Sequence, residues 1–157
     1  NAPVTPYIPK AIEATSLILE GHKSEIKGTD GILPHRPYLW IPSSKTILGN
    51  IAIFGNLHLW TADTQTEQSQ NAWSEQLKEM QALQPETVIP GHMKSGTALN
   101  VESINYSLQY LEDFSESKKN SKNSEQLIEK MSEKYKGSKL PIALSIGAKV
   151  HMGEMTW

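Results

Sequence analysis

The hydrophobic pattern of this chain changes its period once, near residue 64. Before that point the apolar residues form short runs separated by turn residues, at 16–20, 24–27, 38–41, 46–48 and 51–54. The polar residues of these runs stand at their ends, which predicts strands buried on both faces. After that point Trp73, Leu77 and Met80 recur every three to four residues, the period of an amphipathic helix. The change predicts an α/β layered domain.

Three further elements are predicted downstream of the first helix. Thr64 and Glu67 have the spacing of a capping box at the start of that helix. A short strand at 87–89 follows, then an apolar stripe over 101–114 that predicts a second helix with Asn100 as its cap. A polar stretch at 115–123 predicts a break, and Ser124 can cap a third helix. The tail, 140–150, has the pattern of an extended segment. These patterns divide the chain into a domain body, 1–114, and a helical and extended C-terminal extension of the same domain, 115–157.

Composition limits the classes of function. The 157 residues suffice for one domain, and the 15 Lys and Arg residues are spread along a chain of net charge −2, which argues against a nucleic-acid surface. No apolar run is long enough to span a bilayer, so a soluble protein without a membrane partner is expected. With no cysteine, the chain forms no disulfide and no thiolate metal site. Cysteine content leaves the compartment open.

The chain carries five histidines, the commonest zinc-ligand residue, at 22, 35, 58, 92 and 151. No two of them show the H-x-H or H-x-x-x-H spacing that places two rings on one metal. A single histidine in such a sequence is more often structural. His92 differs because it follows a short strand that ends on Pro90-Gly91, and a glycine beside a ligand allows close approach of the backbone. Loops at strand ends are where layered α/β proteins place their chemistry.

Several segments together resemble the second half of a metallo-β-lactamase-fold hydrolase. The segments are Tyr38-Leu-Trp-Ile-Pro-Ser-Ser-Lys-Thr-Ile-Leu-Gly49, then Asn56-Leu-His-Leu-Trp-Thr-Ala-Asp63, then Trp73 on a helix, then Leu83-Gln-Pro-Glu-Thr-Val-Ile-Pro-Gly-His92. In that family a strand pair of the type Y-I-P-x-x-K-x-L-x-G-D supplies a metal-bridging aspartate, and P-x-x-V-x-P-G-H supplies a histidine ligand. The resemblance implies the C-terminal half of an αββα sandwich, a mixed sheet covered by helices.

The resemblance also implies an activity and a set of site residues. The whole protein would be a bacterial zinc-dependent hydrolase of small molecules, using one or two zinc ions to activate water against an ester, thioester, lactone or amide. His92 would be a metal ligand, and Asp63, His58 and Asn50 are further candidates. His35 stands where a mid-chain ligand of the family could fall, and Trp60, beside His58, is a candidate substrate contact. The alternative for Asp63 and His58 is a structural role, with Asp63 capping a turn and His58 packing beside Trp60.

Two departures from the family pattern shape the functional hypothesis. The motif H-x-H-x-D-H of the N-terminal half has no match, and the chain opens on Asn1-Ala2-Pro3 without an initiator Met, so further sequence is expected upstream. The bridging-aspartate position is Asn50, whose neutral amide cannot balance two zinc charges. A chain of this kind is expected to be inactive alone, in a bacterial cytoplasm or periplasm.

Two other functions remain open from the sequence. One is a non-catalytic binding domain that forms a homodimer through an exposed sheet face, because a half-sandwich leaves an apolar face that seeks a partner. The other is a relative that kept the fold and lost catalysis, with Asn50 as the trace of that loss.

Overall fold

A mixed five-stranded sheet forms the centre of the structure, a computed structural model that describes residue 8 and residues 12–157. Its strands are β1 (Ser16–Leu19), β2 (His22–Lys27), β3 (Tyr38–Ile41), β4 (Thr46–Leu48) and β6 (Thr87–Ile89). The sheet order is β1-β2-β3-β4-β6, and the first three pairings are antiparallel while β4 and β6 run parallel. A separate parallel pair is formed by β5 (Phe54–Gly55) and β7 (His92–Met93). The predicted boundary at residues 1–3 lies outside the described residues.

Four helices are present in the described part of the chain. They are α1 (Glu67–Ala82), α2 (Glu102–Lys119), α3 (Ser124–Lys134) and α4 (Pro141–His151). The prediction of an α/β fold with a mixed sheet and helices is therefore confirmed. None of these helices is both long and apolar enough to cross a membrane.

Within residues 12–157, helices cover one face of the sheet and leave the other without a covering layer. Tyr38 and Trp40 of β3, Ile47 of β4 and Val88 of β6 alternate with half-exposed neighbours and are buried in a core shared with Trp73 of α1. Trp73 is completely buried, and its indole N–H donates to the carbonyl of Ala52 at 2.8 Å. The prediction of strands buried on both faces was wrong, because helices cover a single face. This alternation is the pattern of a sheet with one face left open.

Several element boundaries in the structure differ from those predicted from the sequence. The capping box of α1 uses Thr66 and Ser69, not Thr64 and Glu67. Residues 51–54, predicted as a strand, form a 3₁₀ turn (Asn50–Ala52) followed by the two residues of β5. The side chain that caps α3 is Asn123, and Ser124 is the first helical residue.

The C-terminal third is more helical than the pattern suggested. α2 runs through the predicted break as far as Lys119, because Ser117 is buried and the two terminal lysines suit the negative end of the helix. The tail predicted as extended forms α4, with Pro141 in its first turn. Proline is tolerated there because the backbone N–H groups of the first turn have no partner within the helix. α4 packs on α3, and α3 packs on α2.

Candidate functional site

His92 lies at the point where the parallel strands β4 and β6 both end. Gly91, just before it, donates its N–H to the Asn50 carbonyl at 3.0 Å. A Cβ built on Gly91 would lie 2.0 Å from that oxygen, so no residue larger than glycine fits without a backbone shift. The close approach that was predicted at this glycine is therefore a contact with Asn50, and it brings position 50 beside the strand exit that carries His92.

His92 is exposed, and its ring packs on an aromatic side chain. It stacks on Phe54 with a centroid distance of 5.2 Å and an interplanar angle of 12°. Within residues 12–157 neither ring nitrogen has a hydrogen-bond partner in the protein. Phe54 is almost fully buried, so the stack fixes the plane of an imidazole whose nitrogens remain free. A free, oriented imidazole is suited to bind a metal.

Asn50 starts the 3₁₀ turn after β4 with a positive φ of 43°. Asparagine tolerates this left-handed conformation better than most residues do. Its side chain is exposed. The structure thus places Asn50 and His92 at the same edge of the fold.

Asp63, by contrast, is held in an ion pair. Its Oδ1 accepts from Nη2 of Arg36 at 2.7 Å, and its Oδ2 lies 3.5 Å from Nε2 of His35. His35 is exposed and Asp63 is a quarter exposed. The Asp63 carboxylate is therefore the ion-pair partner of the buried Arg36 guanidinium.

Sequence reasoning missed Arg36, which organises this region. The residue is 1% exposed, and its guanidinium lies 3.8 Å from the centroid of the Trp73 ring. It also donates to the carbonyls of Ile51 and Trp60, at 2.7 and 3.3 Å. Burial lowers the pKa of Arg36, and the Asp63 carboxylate opposes that shift. The signal in the sequence was a lone arginine in a Gly- and Pro-rich loop, which gives no indication of burial.

His58 is buried in this fold and its ring has a protein partner. Its side chain is 4% exposed, and Nδ1 lies 3.0 Å from the hydroxyl of Tyr110 on α2. Burial lowers the pKa of His58, which keeps the ring neutral. Its backbone N–H donates to Lys139 at 2.9 Å, so the strand-like segment around His58 is tied to the C-terminal part of the chain.

The remaining candidates lie elsewhere. Trp60 is half-buried and packs edge-to-face against Trp157, with centroids 4.8 Å apart. His151, to which the sequence assigned no role, is 9% exposed and bonds the Thr61 carbonyl through Nε2 at 3.0 Å. His22 reaches Ser43 on the surface. Across residues 12–157 the structure brings together no group of three histidine or carboxylate side chains that could hold a metal ion.

The open face of the sheet borders the His92 edge. Its central row crosses four strands through directly paired apolar residues, Ile26, Leu39, Leu48 and Ile89. A hollow of about 290 Å³ lies on this face, lined by Ile26, Pro37, Tyr38, Leu39, Leu48 and Asn50. Asn50 thus links the apolar hollow to the edge that carries His92.

Of three comparisons with known proteins, only the comparison with solved structures finds similar chains. No protein-family model matches the chain. No curated protein matches it either. Among solved structures eight chains are similar, and one of them is a metallo-beta-lactamase from Pontibacter korlensis, at 18% identity and a TM-score of 0.47. That similarity covers 63% of this chain and 46% of the other, so the chain spans less than half the length of the protein it matches. At this identity the likeness concerns the fold alone.

Proposed function

We propose that this chain is the C-terminal portion of a zinc-dependent hydrolase, to which it contributes His92 as a metal ligand. The observation that carries the proposal is the His92 imidazole, exposed and oriented by Phe54, with both ring nitrogens free of protein partners in the described residues. One imidazole does not hold zinc, which takes three or four protein ligands. The described residues bring no two further ligands to it, so the others would come from a part of the protein upstream.

The residues at this edge fit one metal better than two. His92 would hold the ion through a ring nitrogen, and Asn50, beside it, would offer a neutral amide in place of a bridging carboxylate. A bound zinc ion supplies an activated water for attack on an ester, thioester, lactone or amide carbonyl. Asp63 is already paired with Arg36, so its role here is to hold the loop that leads into α1. The substrate would be a small molecule.

The open sheet face supports the same proposal. A half of a two-sheet sandwich must leave one apolar face for the other half to cover. The row Ile26, Leu39, Leu48 and Ile89 is such a face, and it ends at the edge of Asn50 and His92. A covering sheet would therefore bring its own residues to that edge.

The experiment compares this chain with the protein read from its gene, including all upstream sequence. We expect an H-x-H-x-D-H motif within about 100–150 residues upstream, a domain-sized length. The longer protein is expected to bind zinc and to hydrolyse at least one of a panel of thioesters, lactones and β-lactams. His92→Ala should abolish turnover in the longer protein and leave its fold intact by circular dichroism. His22→Ala, which alters an exposed histidine bonded to Ser43, is the matched control and should leave turnover unchanged.

Two results would overturn the proposal. One is turnover by the isolated chain that depends on His92, because a lone ligand cannot support it. The other is an upstream reading frame without the motif, since His92 would then have no partners.

A second function has its own supporting observation. The apolar row of the open face would allow two copies to pack face to face as a non-catalytic homodimer. In that case Leu48→Lys would convert a dimer of the isolated chain into a monomer in sedimentation equilibrium. An isolated chain that stays monomeric at all concentrations would rule this function out.

A further inference from the structure

Among the residues that the structure describes, the strand β1 forms one outer edge of the main sheet. A tight hairpin fixes which of its backbone groups bond to β2 and which point away from the sheet. Glu20 and Gly21 form the turn with φ of 50° and 82°, the two positive values of a type I′ turn. Leu19 and His22 close that turn, and Ile26 donates its N–H to Thr15 at 2.8 Å. Because hydrogen-bonded positions alternate, residues 15, 17 and 19 bond inward to β2. The backbone groups of Ser16 and Ile18 therefore point away from the sheet.

The side chains of β1 are apolar and exposed. Ile18 is 77% exposed, Leu19 is 73% exposed and Leu17 is 42% exposed. The strand contains no charged residue and no proline, the devices with which proteins usually protect sheet edges. An exposed apolar edge of this kind is a template for pairing with another strand.

We propose that β1 pairs with β1 of a second copy of this chain, antiparallel and about a two-fold axis at Ile18. In this register the backbone N–H and C=O groups of Ile18 form hydrogen bonds with those of Ile18 in the second copy. Leu17 lies opposite Leu19 of the second copy on each side of the axis. Three apolar residues thus meet three apolar residues, as a two-fold interface requires. Ser16 lies opposite Glu20 of the second copy, so no like charges face each other.

The pairing is distinct from the proposed function and from packing through the open face. It extends the sheet in its own plane and uses the outward backbone groups of β1, whereas the open face uses Leu39 and Leu48. The contact is small, because one short strand meets another. Small interfaces form weak and reversible complexes, so a dimer that dissociates on dilution is expected.

Sedimentation equilibrium of the 157-residue chain tests the proposal. We expect the weight-average mass to rise from the monomer value of 17.5 kDa towards twice that value as the concentration is raised into the millimolar range. Ile18→Lys should hold the mass at the monomer value. Ile142→Lys is the matched control, since Ile142 is 56% exposed on α4, away from the sheet edge, and it should associate like the unaltered chain.

Amide hydrogen exchange at low and high concentration identifies the surface used. The Ile18 amide points outward, so it should exchange fast in dilute solution and become protected several-fold in concentrated solution. The Leu17 and Leu19 amides bond inward and should be protected in both. A chain that stays monomeric throughout would overturn the proposal, and so would a dimer that leaves Ile18 unprotected. Loss of the dimer with Leu48→Lys but not with Ile18→Lys would assign association to the open face instead.

Discussion

Removal of the Asp63 carboxylate tests whether burial, and not distance, sets the strength of an ion pair in this chain. The Arg36–Asp63 pair closes at 2.7 Å, with side-chain exposures of 1% and 25%. The Lys45–Glu86 pair closes at a nearly equal 2.8 Å, but its side chains are 55% and 70% exposed. The second pair is therefore a matched control for the first.

The expected cost follows from what each deletion leaves behind. Removing one partner of a fully buried pair costs about 3–5 kcal/mol, because the remaining charge is left unpaired in the interior. Asp63 is a quarter exposed and Arg36 keeps two backbone acceptors, so for Asp63→Ala we expect about 2–4 kcal/mol. Glu86→Ala should cost about 0–1 kcal/mol, since water already solvates both charges.

Urea unfolding followed by the fluorescence of the four tryptophans measures both costs at neutral pH. The double variant Arg36→Met with Asp63→Ala completes a cycle and should be less destabilised than the sum of its single variants, because no buried charge remains. If Asp63→Ala costs no more than Glu86→Ala, Arg36 is not held by its carboxylate partner and the reasoning fails.

Two further predictions concern the buried histidines and the tight glycine. Burial lowers the pKa of both His58 and His151 below the ordinary value of 6.5. As the pH falls through that value, the unfolded state therefore takes up protons before the folded state does, and the folded state loses stability. The urea midpoint should be lower at pH 5.5 than at pH 7.5, and equal midpoints would contradict this. Gly91→Ala should destabilise the fold by about 2–3 kcal/mol, because its Cβ would meet the Asn50 carbonyl. Gly96→Ala has open space but a φ of +83°, so it should cost only about 1 kcal/mol, and the opposite order would refute the contact.

The elements predicted correctly from the sequence are those marked by residues close together in the chain. The spacing of Trp73, Leu77 and Met80 predicted α1, and Pro90-Gly91 predicted the sharp end of β6. The α4 helix was missed because Leu140-Pro141-Ile142 resembles a strand by apolarity. The signal available was Pro141, a residue favoured at the first position of a helix.

The site residues were harder to predict, because their partners are distant in sequence. His58 and Tyr110 are 52 residues apart, and Arg36 and Asp63 are 27 residues apart. No periodicity encodes such contacts. His92 could be singled out because its setting, a strand ending on glycine, is itself local. The open sheet face was expected from the resemblance to one half of a sandwich, although the strand pattern alone had suggested burial on both faces.

The C-terminal residues 139–157 pack against the segment 57–61 and hold it in place through three contacts. Lys139 accepts from the N–H of His58, His151 bonds the Thr61 carbonyl, and Trp157 packs on Trp60. A shortened chain that ended before residue 139 would therefore lose more than an appendage, because the segment 57–61 would lose these three contacts. Insertions and fusions are better tolerated where no such contacts exist, and the last helix of this chain is a poor place for them.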